Sequence, residues 1–340
     1  MIIFRADGNS KIGSGHIMRC LSLADAAGER GMACCFVTAG SEFQNIIQER
    51  EYKCVVLGTD YTDMEAELPT LKKVLADEKA DAIVVDSYFA TEAYLNALRP
   101  FGKLIYIDDL AAFAYPVDML VNYNIYAPDI GYEELYAQKK KPLLLLGPQY
   151  APLRREFQNG DFRRPNGNVK NVFVSTGGAD AEHIALQFIQ YLKLRREPQY
   201  TFHVLLGAMN QDREEIENLA WNVPNVVIHQ NVRDVRELMC SCDAALSAAG
   251  STLYELCACG VPIITYILAD NQATGAKRFA NRGLALLTGD VRKNADFCPA
   301  LLDKLDELAR DVELRAAMAE RAYRVVDGKG AGRVIKEVCS

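Results

Sequence analysis

A short apolar strand that runs into a glycine-rich loop and then a helix is a demanding local plan, and this chain shows it twice. Met1 to Phe4 lead into the stretch from Arg5 to Arg19, RADGNSKIGSGHIMR, with Gly8, Gly13 and Gly15 in the loop and His16 directly after it. A helix is expected next, with Leu21, Leu23 and Ala24 on its apolar side and Gly31 near its end. The pattern restarts at Asn171, where NVFVS enters a second loop, TGGAD. Glycines let a backbone come close to a ligand, and the first N–H groups of a helix form an anion site. His16 stands at such a helix start, where it could exchange a proton with a bound group. A cradle for a phosphorylated ligand with a base at its lip points to an enzyme.

The strand-like runs of the first half are IIFRA, CCFVT at 34–38, CVVLG at 54–58, AIVVDS at 82–87, LIYIDD at 104–109 and MLVN at 119–122. Those between Ala82 and Asp109 are almost continuously apolar, as expected of parallel strands covered on both faces. A stretch from Lys139 to Asn168 carries Pro142, Pro148, Pro152 and Pro165. Beyond it come NVFVS at 171–175, FHVLL at 202–206, VVIH at 226–229, AALS at 244–247, VPIITY at 261–266 and LALLT at 284–288. The expected fold is α/β, with two doubly wound Rossmann-like domains facing a central cleft, because open sheets of this kind bind ligands at the carboxyl ends of their strands. The expected boundaries are 1–150 for a first domain carrying the catalytic histidine, 151–168 for a hinge, 169–310 for a nucleotide-binding domain, and 311–340 for a helical tail packing back on the first domain.

Composition limits the partners. The formal net charge of −7 argues against general nucleic-acid binding, which needs a basic footprint. No apolar run approaches the ~18–20 residues of a membrane span. The first residues read as a strand without the charged region and cleavage site of a signal peptide, so the cytoplasm is the expected location. Ten cysteines include the C-x-C pairs Cys240/Cys242 and Cys257/Cys259. Structural zinc uses wider spacing, and free thiols in a reducing compartment are the expectation. No metal and no cofactor are expected, and a monomer is the working expectation for oligomeric state.

Several loops carry candidate chemistry. In Ser247 to Ile267, Gly250 precedes Ser251 and Thr252 at a helix start, with Glu255 one turn in. Ser and Thr there can donate to phosphate oxygens and Glu255 can accept from ribose hydroxyls; the same spacing also fits an ordinary capping box. Asn271 and Gln272, in the next loop, suit sugar hydroxyls or acetamido groups, or simply a helix cap. Gly177 and Gly178 form the second glycine loop, a candidate for UDP binding, and Gly13 and Gly15 the first, candidate phosphate or sugar contacts. Asp86-Ser87-Tyr88 and Asp108-Asp109 end consecutive strands. Neighbouring residues on a strand point to opposite faces, so only one carboxylate of the latter pair can line a cleft, and a metal-free reading is favoured. Tyr88 is a candidate donor near the substrate, and Asn122 and Asn124 are polar contacts or turn residues. Arg154 and Arg155 read as solvated charges. His203 reads as a core residue, and His183 and His229 as structural or base-stacking.

The two-domain plan, the block SAAGSTLYELCACGVP and the D-N-Q loop after it resemble the GT-B group that includes the MurG-type glycosyltransferases. One branch is closer: RADGNSKIGSGHIMRCLSLA, DSY at 86–88, IDD at 107–109, VNYN near 121, YAPLRREF at 150–157 and VDGKGAGRV resemble the PseG family. These are UDP-2,4-diacetamido-2,4,6-trideoxy-β-L-altropyranose hydrolases of pseudaminic acid biosynthesis. The resemblance implies cleavage of UDP from the anomeric carbon by water, with inversion and without a metal. It matches His16 to the family's catalytic histidine, Tyr88 to the tyrosine of its D-x-Y motif, and Glu255 with Gly250–Thr252 to the part that holds the nucleotide. Where the family commonly has histidine between that Asp and Tyr, this chain has Ser87. The implied partners are a small UDP-sugar and water. The alternative within the same fold is a MurG-like transferase passing an amino sugar to an acceptor.

Overall fold

The structure, a computed structural model, describes residues 1–340 apart from 10, 159, 161, 163, 166, 196–198 and 208. Position 10 belongs to the first glycine loop and 159, 161, 163 and 166 to the expected hinge, so those parts of the sequence reading lie outside the described residues. The chain divides into two compact units, Met1–Arg155 with Lys329–Ser340, and Glu156–Gly328.

The first unit runs β1 (Ile2–Ala6), α1 (Gly15–Gly28), β2 (Cys34–Thr38), α2 (Gln44–Glu49), β3 (Lys53–Val56), α3 (Met64–Asp77), β4 (Ala82–Asp86), α4 (Glu92–Leu98), β5 (Lys103–Ile107), β6 (Met119–Asn122), α5 (Tyr132–Leu135) and β7 (Leu143–Leu146). The second runs β8 (Asn171–Ser175), α6 (Ile184–Leu194), β9 (Thr201–Leu205), α7 (Arg213–Ala220), β10 (Val226–His229), α8 (Val235–Cys240), β11 (Ala244–Ala248), α9 (Thr252–Cys259), β12 (Ile263–Ile267), α10 (Ala273–Asn281), β13 (Leu286–Asp290), α11 (Phe297–Arg310) and α12 (Val312–Val325). A last helix, α13 (Gly330–Val338), belongs to the first unit again. The expected tail from 311 to 340 therefore divides, with α12 packing on α9 in the second unit and α13 on α1 in the first.

Every strand pairing is parallel, in the order β3-β2-β1-β4-β5-β6-β7 in the first unit and β10-β9-β8-β11-β12-β13 in the second. Both orders reverse beside the opening strand, between β1 and β4 and between β8 and β11, where doubly wound sheets open a crevice for ligands. Strand β7 is an addition to the sequence reading. Its LLLL run lies between Pro142 and Pro148, a setting that reads as linker; proline is compatible with an edge strand, and β7 is the sheet's edge.

One face of the first sheet is covered by α1 and α13. Ile17, Cys20, Leu21 and Ala24 recur at helical spacing and pack with Ala331, Val334, Ile335 and Val338 over Ile2, Phe4 and Val84. The opposite face holds a buried ion cluster. Arg5 donates through Nε and Nη2 to both oxygens of Glu67 at 2.6 Å, and through Nη1 to Asp7 at 2.6 Å. Asp7 in turn accepts from the Ala39 amide at 2.7 Å. These bonds pin the start of the first glycine loop to α3 and to the end of β2.

The packing of α13 under α1 yields a test. Ile335 is fully buried, and Ile335→Ala is expected to cost about 2–5 kcal/mol in denaturant unfolding of the first unit.

Candidate active site

At the first reversal of strand order, Ala6 and Asp86 are register partners at the carboxyl ends of β1 and β4. The loop leaving β1 brings α1 back so that His16, its second residue, lies beside Asp86. Arg19, three residues later, shares that helix face. His16 Nδ1 is 2.6 Å from Asp86 Oδ1. Arg19 grips the same carboxylate with two arms, Nε to Oδ2 and Nη2 to Oδ1, each 2.5 Å. Burial by itself would raise the Asp86 carboxyl, but Arg19 and then His16 outweigh it and hold it at about 2. An ionised carboxylate only accepts, so Nδ1 of His16 carries a proton and donates to Asp86; in the neutral form of the ring Nε2 is then the accepting nitrogen.

The network continues outward. Arg19 Nη1 donates to Asp109 and to the Tyr123 hydroxyl, both at 3.0 Å. Asp109 also accepts from the Tyr88 hydroxyl at 3.1 Å and from Asn124 Nδ2 at 2.9 Å. Tyr88 is 48 % exposed and its ring makes a T-shaped contact with His16, centroids 4.7 Å apart. Partial burial, then the charge of Asp109, pushes its phenol up, so it stays a proton donor. Asp108 turns the other way, as strand alternation requires, and accepts from the Leu110 and Ala111 amides and from Tyr115 and Tyr132.

Asn122 is fully buried. It donates to Tyr132 and accepts from the amide and side chain of Asn124, so it is a turn-building residue rather than an exposed sugar contact. Gly13, at φ +75°, closes a tight loop in which it exchanges backbone bonds with Asn9, while Asn9 Oδ1 takes the Lys11 and Ile12 amides. Those amides serve the loop itself, and the anion-binding potential passes to the helix start at Gly15, where Ser14 makes no side-chain cap bond. A Cβ at Gly15 would meet nothing within 4 Å.

In the second unit, Ser175 and Ser247 are register partners at the corresponding reversal, between β8 and β11. The loops after these two strands carry Gly177–Gly178 and Gly250–Thr252. Gly177 adopts φ +85°, and the backbone of Gly177–Gly178 lies so close to Gly207 that a Cβ there would meet their carbonyls at 2.2–2.5 Å. Ser251 sits at the start of α9, is exposed, and makes no side-chain cap bond. Gln272 Oε1 accepts from the Leu268 amide at 2.8 Å, shaping its loop, whereas Asn271 is exposed. A cavity of about 260 Å³ bordered by Arg164, Asn171, Cys240, Cys259 and Arg315 opens at the amino ends of β8, β11 and β12. That is the end of the sheet opposite these loops, and its lining contains none of the predicted site residues.

His203 lies between His229 and Asn171, 3.0 and 3.2 Å away, and His183 pairs with Asp212. All ten cysteines are free thiols, and among the described residues no three His, Cys, Asp or Glu side chains group to hold a metal ion. Arg19 is a site residue beyond those expected from the sequence, and the strand-end carboxylates Asp86 and Asp109 are partners of His16 and Tyr88. The i, i+3 spacing of His16 and Arg19 was the available signal.

No family model matches the chain. The spore coat polysaccharide biosynthesis protein SpsG of Bacillus subtilis is 24% identical over 334 residues, covering 97% of this chain and 95% of that protein. The UDP-2,4-diacetamido-2,4,6-trideoxy-β-L-altropyranose hydrolase of Campylobacter jejuni is 24% identical over 286 residues, 83% of this chain and 97% of that protein. An uncharacterised protein of Methanocaldococcus jannaschii is 25% identical over 269 residues; the match takes in 76% of this chain and about half, 54%, of that relative's length. Among solved structures, spinosyn rhamnosyltransferase SpnG superimposes with a TM-score of 0.71 at 12% identity over 100% of both chains. Acinetobacter baumannii MurG gives 0.68 at 14% identity over 99% of both. The chain has the two-domain, Rossmann-like GT-B fold. Among the described residues no helix is long and apolar enough to cross a membrane.

The Asp86 pairing has a pH signature. Its folded-state value is depressed, so between about pH 2 and 4 the unfolded chain binds the extra proton and stability falls on acidification. Asp86→Asn is expected to lower stability by on the order of 2 kcal/mol at neutral pH, and thermal unfolding of variant and parent is expected to converge as the pH approaches 2.

Proposed function

We propose that the chain is a UDP-sugar hydrolase that releases UDP from UDP-2,4-diacetamido-2,4,6-trideoxy-β-L-altropyranose in pseudaminic acid biosynthesis. The observation that carries this reading is the His16–Asp86 pair, in which the carboxylate engages Nδ1 and Nε2 is the ring nitrogen that can accept from water. The name of the Campylobacter relative supports the same substrate.

In this reading His16 Nε2 takes a proton from water as the water oxygen attacks the anomeric carbon. The glycosidic C–O bond breaks with its electron pair leaving on the UDP phosphate oxygen, and attack from the far side of the sugar inverts the centre. Such breakage passes through an oxocarbenium-like state with negative charge growing on the leaving group. The start of α9, with Ser251 and Thr252, offers fixed donors and a helix dipole to that charge, Gly177–Gly178 and Gly250 admit the nucleotide, and Glu255 accepts from its ribose. Tyr88 orients the water or a ring substituent. The reaction needs no metal.

The test is UDP release from this sugar nucleotide with EDTA present and no acceptor, with UDP-N-acetylglucosamine as control. Release from the first alone is expected, and His16→Asn is expected to lose roughly 10²–10⁴ in rate while still binding UDP by calorimetry. Release only after an acceptor is added would instead establish the transferase reading.

A further inference from the structure

His16 sits in surroundings that would ordinarily charge it. Two carboxylates, Asp86 and Asp109, lie in its network, and carboxylates within a few ångströms favour the imidazolium form. An imidazolium cannot accept a proton from water. The other groups around the ring are Arg19 and Cys20 on its own helix, Tyr88 after β4 and Tyr123 after β6. Cys20 Sγ–H donates a hydrogen bond to Asp86 Oδ2 at 3.8 Å, and burial keeps both this thiol and the Tyr88 and Tyr123 phenols in their neutral forms. Arg19 is thus the cation of the cluster.

We propose that Arg19 is the positioning residue that holds His16 in its neutral, proton-accepting form. Its Nη2 stands 3.1 Å from His16 Nδ1, and both atoms donate to Asp86 Oδ1, at 2.5 and 2.6 Å. Two donors on one oxygen leave that oxygen less able to draw further positive charge onto the ring. The guanidinium charge, on a side chain only 10% exposed, acts on the ring with little screening by salt. Its reach to Asp109 at 3.0 Å neutralises part of the second carboxylate as well. The tally of charge then suits a base. With neutral His16 the two carboxylates and one guanidinium leave one net negative charge, and a proton accepted from water brings the cluster to neutrality. The resting ring stays uncharged, and the charge it gains in the reaction is balanced.

This inference rests on the proposed role of His16 as a base, and its test separates the two. The titration of the His16 ring is followed by NMR, with its signal among the chain's four histidines identified by its loss in His16→Asn. Arg19→Met is expected to move the His16 midpoint to higher pH by roughly 1–3 units, with the acidic limb of the kcat/KM profile for UDP release moving alongside it. Arg19→Lys is expected to restore at least half of that shift. Arg19→Gln, which loses the charge but keeps hydrogen-bond donors, is likewise expected to move the midpoint to higher pH, and it carries the test by itself if Arg19→Met fails to fold. A midpoint unmoved in these variants, or moved with the opposite sign, overturns the role of Arg19. A wild-type protein that titrates as expected yet releases no UDP overturns the hydrolase reading and leaves the Arg19 role standing.

Discussion

The first unit's site is organised around one buried carboxylate. Asp86 is 1% exposed and receives three hydrogen bonds from His16 and Arg19. A buried charge is costly unless its lone pairs are matched, and the matching here ties the first turn of α1 to the end of β4. Arg19 carries the tie on to Asp109 and Tyr123, and Asp109 carries it to Tyr88 and Asn124. The imidazole is therefore held from two directions, by Asp86 on Nδ1 and by the T-shaped contact with the Tyr88 ring. A ring so held has a defined tautomer, which an exposed histidine on a flexible loop would lack.

The two units share one topological device and furnish it differently. Each places its chemistry where the strand order reverses, beside β1 and β4 in one and β8 and β11 in the other. The first unit fills that place with charged and aromatic side chains, which suit the movement of a proton. The second fills it with glycines, small hydroxyls and the start of α9, a backbone surface suited to an anion that must be approached closely. Fold alone does not choose among reactions; the two reversals differ in the side chains that line them.

Anchoring lies outside the sites. The Arg5–Glu67–Asp7 cluster fixes where β1 releases the chain into the glycine loop. The apolar seam between α1 and α13 fixes the helix that carries His16 and Arg19. The loop itself is shaped by Asn9, whose side chain and backbone take the amides of Lys11, Ile12 and Gly13. These ionic, apolar and loop contacts hold the chain around the site.

The alternation of apolar strands with amphipathic helices, and the repetition of strand, glycine loop and helix, were legible from residue order because periodicity and turn chemistry are local properties. His16 at a helix start, the glycine turns at Gly13 and Gly177, and the opposite facing of Asp108 and Asp109 follow from the same local rules. Strand β7 escaped because its prolines resemble those of a linker, and only pairing with β6 makes it a strand. The partnership of His16 with Asp86, 70 residues away, the grip of Arg19, and the inward turn of Asn122 depend on which strands become neighbours. Residue order states what each side chain can donate or accept. Strand order decides which of them meet, because the free energy that selects the pairing comes from burying whole sheet faces and not from the few polar groups at their ends.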